Sequence, residues 1–165
     1  MTRAAIIRDP TNPSGIAQFG VIQAMAPLLG VEVKPINIRD AEEIEHVVEA
    51  FARSPNGGLV VAASAAATLH GDLIVMLASR HKLPAVYFER AFVAAGGLIS
   101  YGADYIDQYR KAAGYVDRIL KGERPADLPV QAPIKYELVI NLKAAKALGL
   151  DIPATVYARA DEVIE

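Results

Sequence analysis

RAAIIRDPTNPSG, residues 3 to 15, is a short apolar run that ends in Arg8-Asp9, turns through Pro10-Thr11-Asn12-Pro13-Ser14 and reaches Gly15. Read as a buried strand over 3–8 followed by a helix that Ser14 N-caps, it is a β–turn–α unit. Asp9-Pro10 and Asn12-Pro13 are turn formers in their own right. The same turn also offers backbone N–H groups and short polar side chains to a small molecule. Which use applies depends on what the rest of the chain builds around it.

Outward from this unit, the pattern alternates. GIAQFGVIQAMAPLLG, 15–30, reads as a helix with Ile16, Val21, Met25, Leu28 and Leu29 on its apolar side. Pro27 weakens its last turn and Gly30 ends it. VEVKPINI, 31–38, reads as a strand that Pro35 places at an edge or breaks. The clearest helix follows: Asp40 caps it, Glu43 completes a capping-box pair, and Ile44, Val47, Val48 and Phe51 repeat at helical spacing. LVVAAS (59–64) and PAVYFE (84–89) are continuous apolar strands of the kind covered on both faces, with a helix through Leu69, Leu73 and Leu77 between them. GGLISYG (96–102) is a further strand. A strongly amphipathic helix then carries Ile106, Tyr109, Ala113, Val116 and Leu120 on one stripe. A Pro-rich connector, Glu123 to Pro133, leads to a last strand over 135–142 and a short helix closed by Gly149. Strand and helix alternate at least four times. The expectation is one α/β domain over 1–165, with a mainly parallel sheet of five or six strands flanked by helices and the 59–63 and 85–88 strands central.

Composition narrows the function. The chain has 165 residues, 53% of them hydrophobic and 22% charged, with net charge −2 and no cysteine. That is the profile of a globular domain with a core. Lys and Arg are scattered, which leaves no footprint for nucleic acid. The lack of Cys removes disulfides, thiolate nucleophiles and Cys-based zinc sites. Ala4–Ile7 is too short for a signal h-region, and no run reaches a membrane span. As written, the chain is expected to carry no export signal and to stay in the cytoplasm.

Ligands of open α/β sheets bind outside the carboxyl ends of the strands. That selects the loops at Asp9–Ser14, at Ala62–Ala65 and at Tyr87–Ala91. Asn12, Ser14, Ser64, Glu89 and Arg90 are the candidate ligand-binding residues there. Capping alone accounts for Ser14 and Ser64, yet a cap at a helix N-terminus is compatible with holding an anion. No GxGxxG, GxxxxGK[ST] or GxSxG motif is present, and Ser64 has no evident histidine base. The third strand ends Ala62-Ala63-Ser64, without the aspartate a phosphoacceptor domain wants. His46, His70 and His81 lack ligand spacing, so no cofactor or metal is expected. The chain reads as a non-enzyme, a module that captures a small molecule. The alternative is a small cytoplasmic α/β enzyme or ligand sensor using the same crevice.

RDPTNPSG (8–15), FARSPNGGLVV (51–61), the long run AAGGLISYGADYIDQYRKAAGYVDRILKGERPADLPVQAPIKYELVINLKAAKALGLDIP (94–153) and ARADEVIE (158–165) resemble the extracytoplasmic solute-binding proteins of ABC transporters with the type I periplasmic-binding fold. The resemblance implies a fold of two α/β lobes around a cleft. Of these the chain matches the second, with residues 97–122 resembling the segment that returns to the first. It implies non-covalent capture of a polar solute such as an amino acid or organic acid, a periplasmic setting, and delivery to a membrane permease. It also turns the loops of Asn12 and Ser14, of Ser64, and of Glu89 and Arg90 toward that solute. No aromatic cage is legible. The apolar stripe on the 103–122 helix needs a partner surface, and the expectation is a homodimer through residues 97–122.

Overall fold

The computed structural model describes all residues, Met1–Glu165. β1, Arg3–Arg8, lies one strand in from an edge of the sheet, and its four middle residues are buried. β2 (Glu32–Asn37) pairs with one edge of β1 and β3 (Gly57–Val61) with the other, both parallel to it. β4 (Ala85–Tyr87) and β5 (Ile99–Ala103) extend the parallel sheet from β3. β6 (Tyr136–Asn141) then adds antiparallel to β5, and β7 (Glu162–Ile164) lies parallel to β6. The order is β2-β1-β3-β4-β5-β6-β7. The mainly parallel α/β sheet is as the sequence led us to expect, with 59–61 and 85–87 inside it. It has seven strands rather than five or six. The extra one, Glu162–Ile164, is three residues long and opens on a charge, so no apolar run marks it.

Helices α1 (Pro13–Met25), α2 (Ala41–Ala52), α3 (Ala65–Leu69) and α4 (Gly71–Arg80) make the crossovers from β1 through to β4. The core joins Ile7 and Leu59 on the sheet to Ile44, Val48 and Phe51 of α2 and to Ile74 and Leu77 of α4. Burial of each such side chain contributes about 1.5–3 kcal/mol. Asp40 caps α2 as expected, accepting a 2.9 Å hydrogen bond from the Glu43 amide. The capping box is only half made: the inner Glu43 carboxylate oxygen is buried and has no partner. The helix expected through Leu69, Leu73 and Leu77 breaks at His70, which ends α3 and precedes α4. Leu69 is left exposed. The short helix α5 (Arg90–Ala94), which the sequence did not announce, follows β4 directly.

Two features of α1 differ from the sequence reading. Its cap is Asn12, whose Oδ1 accepts from the Ser14 amide at 3.0 Å. Pro13, just inside the helix, has no N–H to offer, so the cap shifts two residues upstream of Ser14. The second concerns burial. Ile16, Val21, Met25, Leu28 and Leu29 do not face the core; all five are exposed. The buried positions are Gly15 and, in the 3-10 turn Ala26–Leu29 that continues the helix, Ala26.

α6 (Tyr105–Leu120) leaves the sheet after β5 and has no buried residue. Ile106, Tyr109, Val116 and Leu120 are exposed along it. The chain returns through residues 121–135 to β6. α7 (Leu142–Ala147) and α8 (Ala154–Tyr157) complete the fold. Asn141 fixes this return: its Oδ1 caps α7 at the Ala144 amide, 2.9 Å, and its Nδ2 donates to the Val93 carbonyl, 3.3 Å.

Two variants test this packing. A Cβ at Gly102 of β5 would collide with the backbone carbonyl of Phe88. Gly102→Ala should therefore lower unfolding free energy by at least about 1–3 kcal/mol in urea melts. Asn12→Ala should cost about 1 kcal/mol through the lost cap, and Ser14→Ala close to nothing. The reverse order would restore Ser14 as the cap.

Candidate functional site

All five residues singled out from sequence line one open crevice of about 960 Å³ at the carboxyl ends of the strands. The crevice starts between β1 and β3, where the chain leaving β1 crosses to β2 on one side and the chain leaving β3 crosses to β4 on the other, the switch point at which open α/β sheets hold ligands. Its geometry follows from local turns. Asp9 Oδ1 accepts from the Thr11 amide (2.8 Å) and hydroxyl (2.7 Å), which tightens the turn after β1. The Thr11 side chain and backbone hold the Asp9 carboxyl below its usual range. Asn12 then does two jobs: Oδ1 caps α1, and Nδ2 donates to the Ala63 carbonyl at 3.2 Å. The loops after β1 and β3 are thereby tied together.

Ser64 is buried at the start of α3. Its Oγ accepts from the Ala67 amide at 3.1 Å, so its hydroxyl proton remains available to a ligand. Thr68 donates its hydroxyl to the Ser64 carbonyl at 3.2 Å. Ser14 is exposed one residue inside α1. This side of the crevice consists of neutral donors beside helix N-termini.

The opposite side, formed by β4, β5 and β6, is rich in charge. Glu89 precedes α5 in extended backbone and makes no capping bond. Burial pushes its carboxyl above the usual range. Arg90 is engaged with β7: its Nε donates to Glu162 at 2.7 Å and its Nη2 at 2.6 Å. This bidentate contact holds Glu162 below the ordinary carboxylate range. Arg90 thus lines the crevice while its guanidinium is largely committed.

The sequence reading missed Asp104, Glu137 and three aromatic residues, Phe88, Tyr105 and Tyr109, which also line the crevice. Asp104 caps α6 at the Asp107 amide, 3.0 Å, and pairs with Lys135 Nζ at 2.6 Å. The Lys135 hydrogen bond, then the Asp107 amide, hold its carboxyl low. Glu137 stands opposite Gly102 in the antiparallel β5–β6 register. Burial, and then the charge of Asp104, push its carboxyl up. Only the capping position of Asp104 left a signal in the sequence, because the β5–β6 pairing depends on a connector of unpredictable path. Glu89 and Glu137 make no ion pair or hydrogen bond within the chain, so two half-buried carboxylates face the crevice unpartnered. No histidine lines it, and Ser64 has no base beside it. The arrangement is suited to binding, with neutral donors beside the helix starts that follow β1 and β3, carboxylate acceptors from the β4 and β6 side, and aromatic residues in the same lining.

Solved structures share this fold. A conserved domain protein from Vibrio cholerae superposes with a TM-score of 0.87 at 24% identity, over 98% of this chain and 54% of that one. An ABC domain from Streptococcus pneumonia, solved in complex with L-Trp, superposes at 0.88 and 25% identity, over 99% of this chain and 56% of that one. A protein of Clostridioides difficile named as a tyrosine-binding protein is 29% identical over 93 residues, which is 54% of this chain and 27% of that protein. The chain therefore spans about half the length, or less, of these relatives. The sequence model of one family, described as ABC transporter substrate binding protein, matches residues 2–164. The chain belongs to the ABC transporter substrate-binding protein family.

Proposed function

We propose that this chain is the second lobe of a two-lobe solute-binding protein that captures an α-amino acid outside the cytoplasmic membrane and hands it to a permease for import. The observation that carries the reading is the polarity of the crevice. Asn12, Ser14 and Ser64 gather donors at the N-terminal ends of α1 and α3, where a carboxylate is favoured. Glu89 and Glu137 are unpaired acceptors for an ammonium group. Phe88, Tyr105 and Tyr109 offer faces to an apolar or aromatic side chain. The S. pneumonia relative holds L-Trp and the C. difficile relative is named for tyrosine, which supports an aromatic amino acid here. No catalytic group is needed for this role. The alternative, an enzyme or sensor using the same crevice, has no nucleophile and base to support it.

Tight small-molecule sites enclose roughly 70–90% of the ligand. An open crevice on one lobe cannot do that, so the first lobe supplies the remaining contacts. The exposed stripe Ile106, Tyr109, Val116 and Leu120 is suited to packing on that lobe, since α6 stands next to the crevice. A second copy packed through residues 97–122 is the other cover for this stripe. For that dimer β5 is unavailable, because β4 and β6 occupy both its edges, and α6 would have to make it alone.

In the full-length, two-lobe protein, calorimetry should detect an aromatic amino acid, and Ser64→Ala and Glu89→Gln should each weaken it roughly tenfold, as expected for a hydrogen bond to a charged group. Unchanged affinity in both variants would remove these loops from the site. The chain alone should bind weakly, and sub-micromolar affinity of the monomeric chain would contradict the two-lobe reading. Acidification provides a further check. The raised Glu89 and Glu137 lose their charge at a pH above the usual 4.5 of a glutamate. Affinity should be full well above that range and fall as pH drops through the raised values. The Glu89→Gln/Glu137→Gln double variant should flatten this acid limb.

A further inference from the structure

From Pro10 to Val31 the chain carries no charged residue. This stretch is α1 and the 3-10 turn after it, and its outer surface is apolar. Val21 is 67% exposed, Leu28 77% and Leu29 75%, with Ile16 and Met25 about half exposed. Ala17, Val21, Ala24 and Leu28 recur at helical spacing, so they share one face. The exposed area is roughly 600 Å² per chain, at the top of what a monomer ordinarily leaves uncovered.

The first lobe cannot account for it. α1 begins at the crevice, at Asn12, and runs back along the sheet to its other end. There the Val31 amide bonds the Ala26 carbonyl, and the next amide, that of Glu32, bonds the Thr2 carbonyl at the start of β1. At 1.5 Å per residue, Leu28 lies on the order of 20 Å from the crevice mouth. A lobe closing over the mouth covers α6 and leaves Val21, Leu28 and Leu29 bare. Pairing at the neighbouring sheet edge is blunted by Pro35 and by the Lys34–Glu32 ion pair on β2.

We infer that this α1 face is a self-association surface, on which the α1 of a second copy packs antiparallel across a two-fold axis near Gly20 and Val21. Three observations favour a second copy. A surface free of charge meets itself without like-charge repulsion. A Cβ at Gly20 would touch nothing within 4 Å, so the helix backbone there is uncovered and a facing helix can approach it closely. Two patches of about 600 Å² together reach the lower end of specific interfaces, about 1,200 Å². Gln18 and Gln23, exposed at the border of the face, supply an uncharged polar rim.

An interface at the small end of the specific range should give a weak dimer that dissociates on dilution. Sedimentation velocity on the chain between about 1 and 100 μM should show a monomer–dimer equilibrium. Val21→Lys/Leu28→Lys should weaken it at least tenfold, and Ile106→Lys/Leu120→Lys on α6 should leave it unchanged. Circular dichroism melts check that both variants fold, as substitutions at exposed positions allow. Because the chain has no cysteine, Val21→Cys gives a second readout: mild oxidation should yield a disulfide-linked dimer. A monomer throughout the range, a dimer that survives the α1 substitutions, a dimer abolished only by the α6 substitutions, or no cross-link through Val21→Cys would each overturn the inference.

Discussion

The side chain of Asn12 ties the loop after β1 to the loop after β3, and much of the rest depends on that tie. β1 and β3 are neighbours, yet the chain leaving β1 crosses to β2 and the chain leaving β3 crosses the other way to β4, so a gap opens at the strands' carboxyl ends. Nothing in the sheet itself closes or shapes that gap. Asn12 does so with one amide, capping α1 through Oδ1 and holding the Ala63 carbonyl through Nδ2. It brings the N-terminal end of α1 and the Ser64 loop to the same mouth. The donors that favour a carboxylate are therefore a consequence of how two helices start.

The other end of the crevice is built by a different part of the chain. After β5 the backbone leaves the sheet as α6 and comes back antiparallel in β6. That reversal sets Glu137 opposite Gly102 and brings Lys135 to Asp104. Gly102 is required because β5 passes against the Phe88 carbonyl, at the level where Glu89 enters the crevice. Charge is then sorted by pairing. Lys135 neutralises Asp104 and Arg90 neutralises Glu162, while Glu89 and Glu137 stay without partners. Each is left able to accept from a ligand that enters the crevice.

Much of this was legible in the sequence. The alternation of apolar runs with helical periods specified the α/β class and put 59–61 and 85–87 inside the sheet. The rule that ligands sit at strand carboxyl ends brought Asn12, Ser14, Ser64, Glu89 and Arg90 to one crevice. What escaped has physical reasons. Pro13 moved the cap of α1 to Asn12, since a residue without an N–H is well placed in the first turn. The aromatic and acidic members, Tyr105, Tyr109 and Glu137, come together only through a tertiary reversal with no local pattern. The apolar residues of α1 obey helical spacing and nevertheless face outward. Periodicity identifies a face and is silent on what covers it.

The central claim is that the crevice holds an amino acid by its two charged groups. Titration of the ¹⁵N-labelled chain with millimolar L-tryptophan, followed by amide chemical shifts, tests it most directly, because it detects binding too weak for calorimetry and reports its place. The account predicts shifts concentrated at Asn12, Ser14, Ser64, Thr68, Glu89 and Glu137, saturating together. Shifts confined to another surface, or none at millimolar ligand, would contradict it.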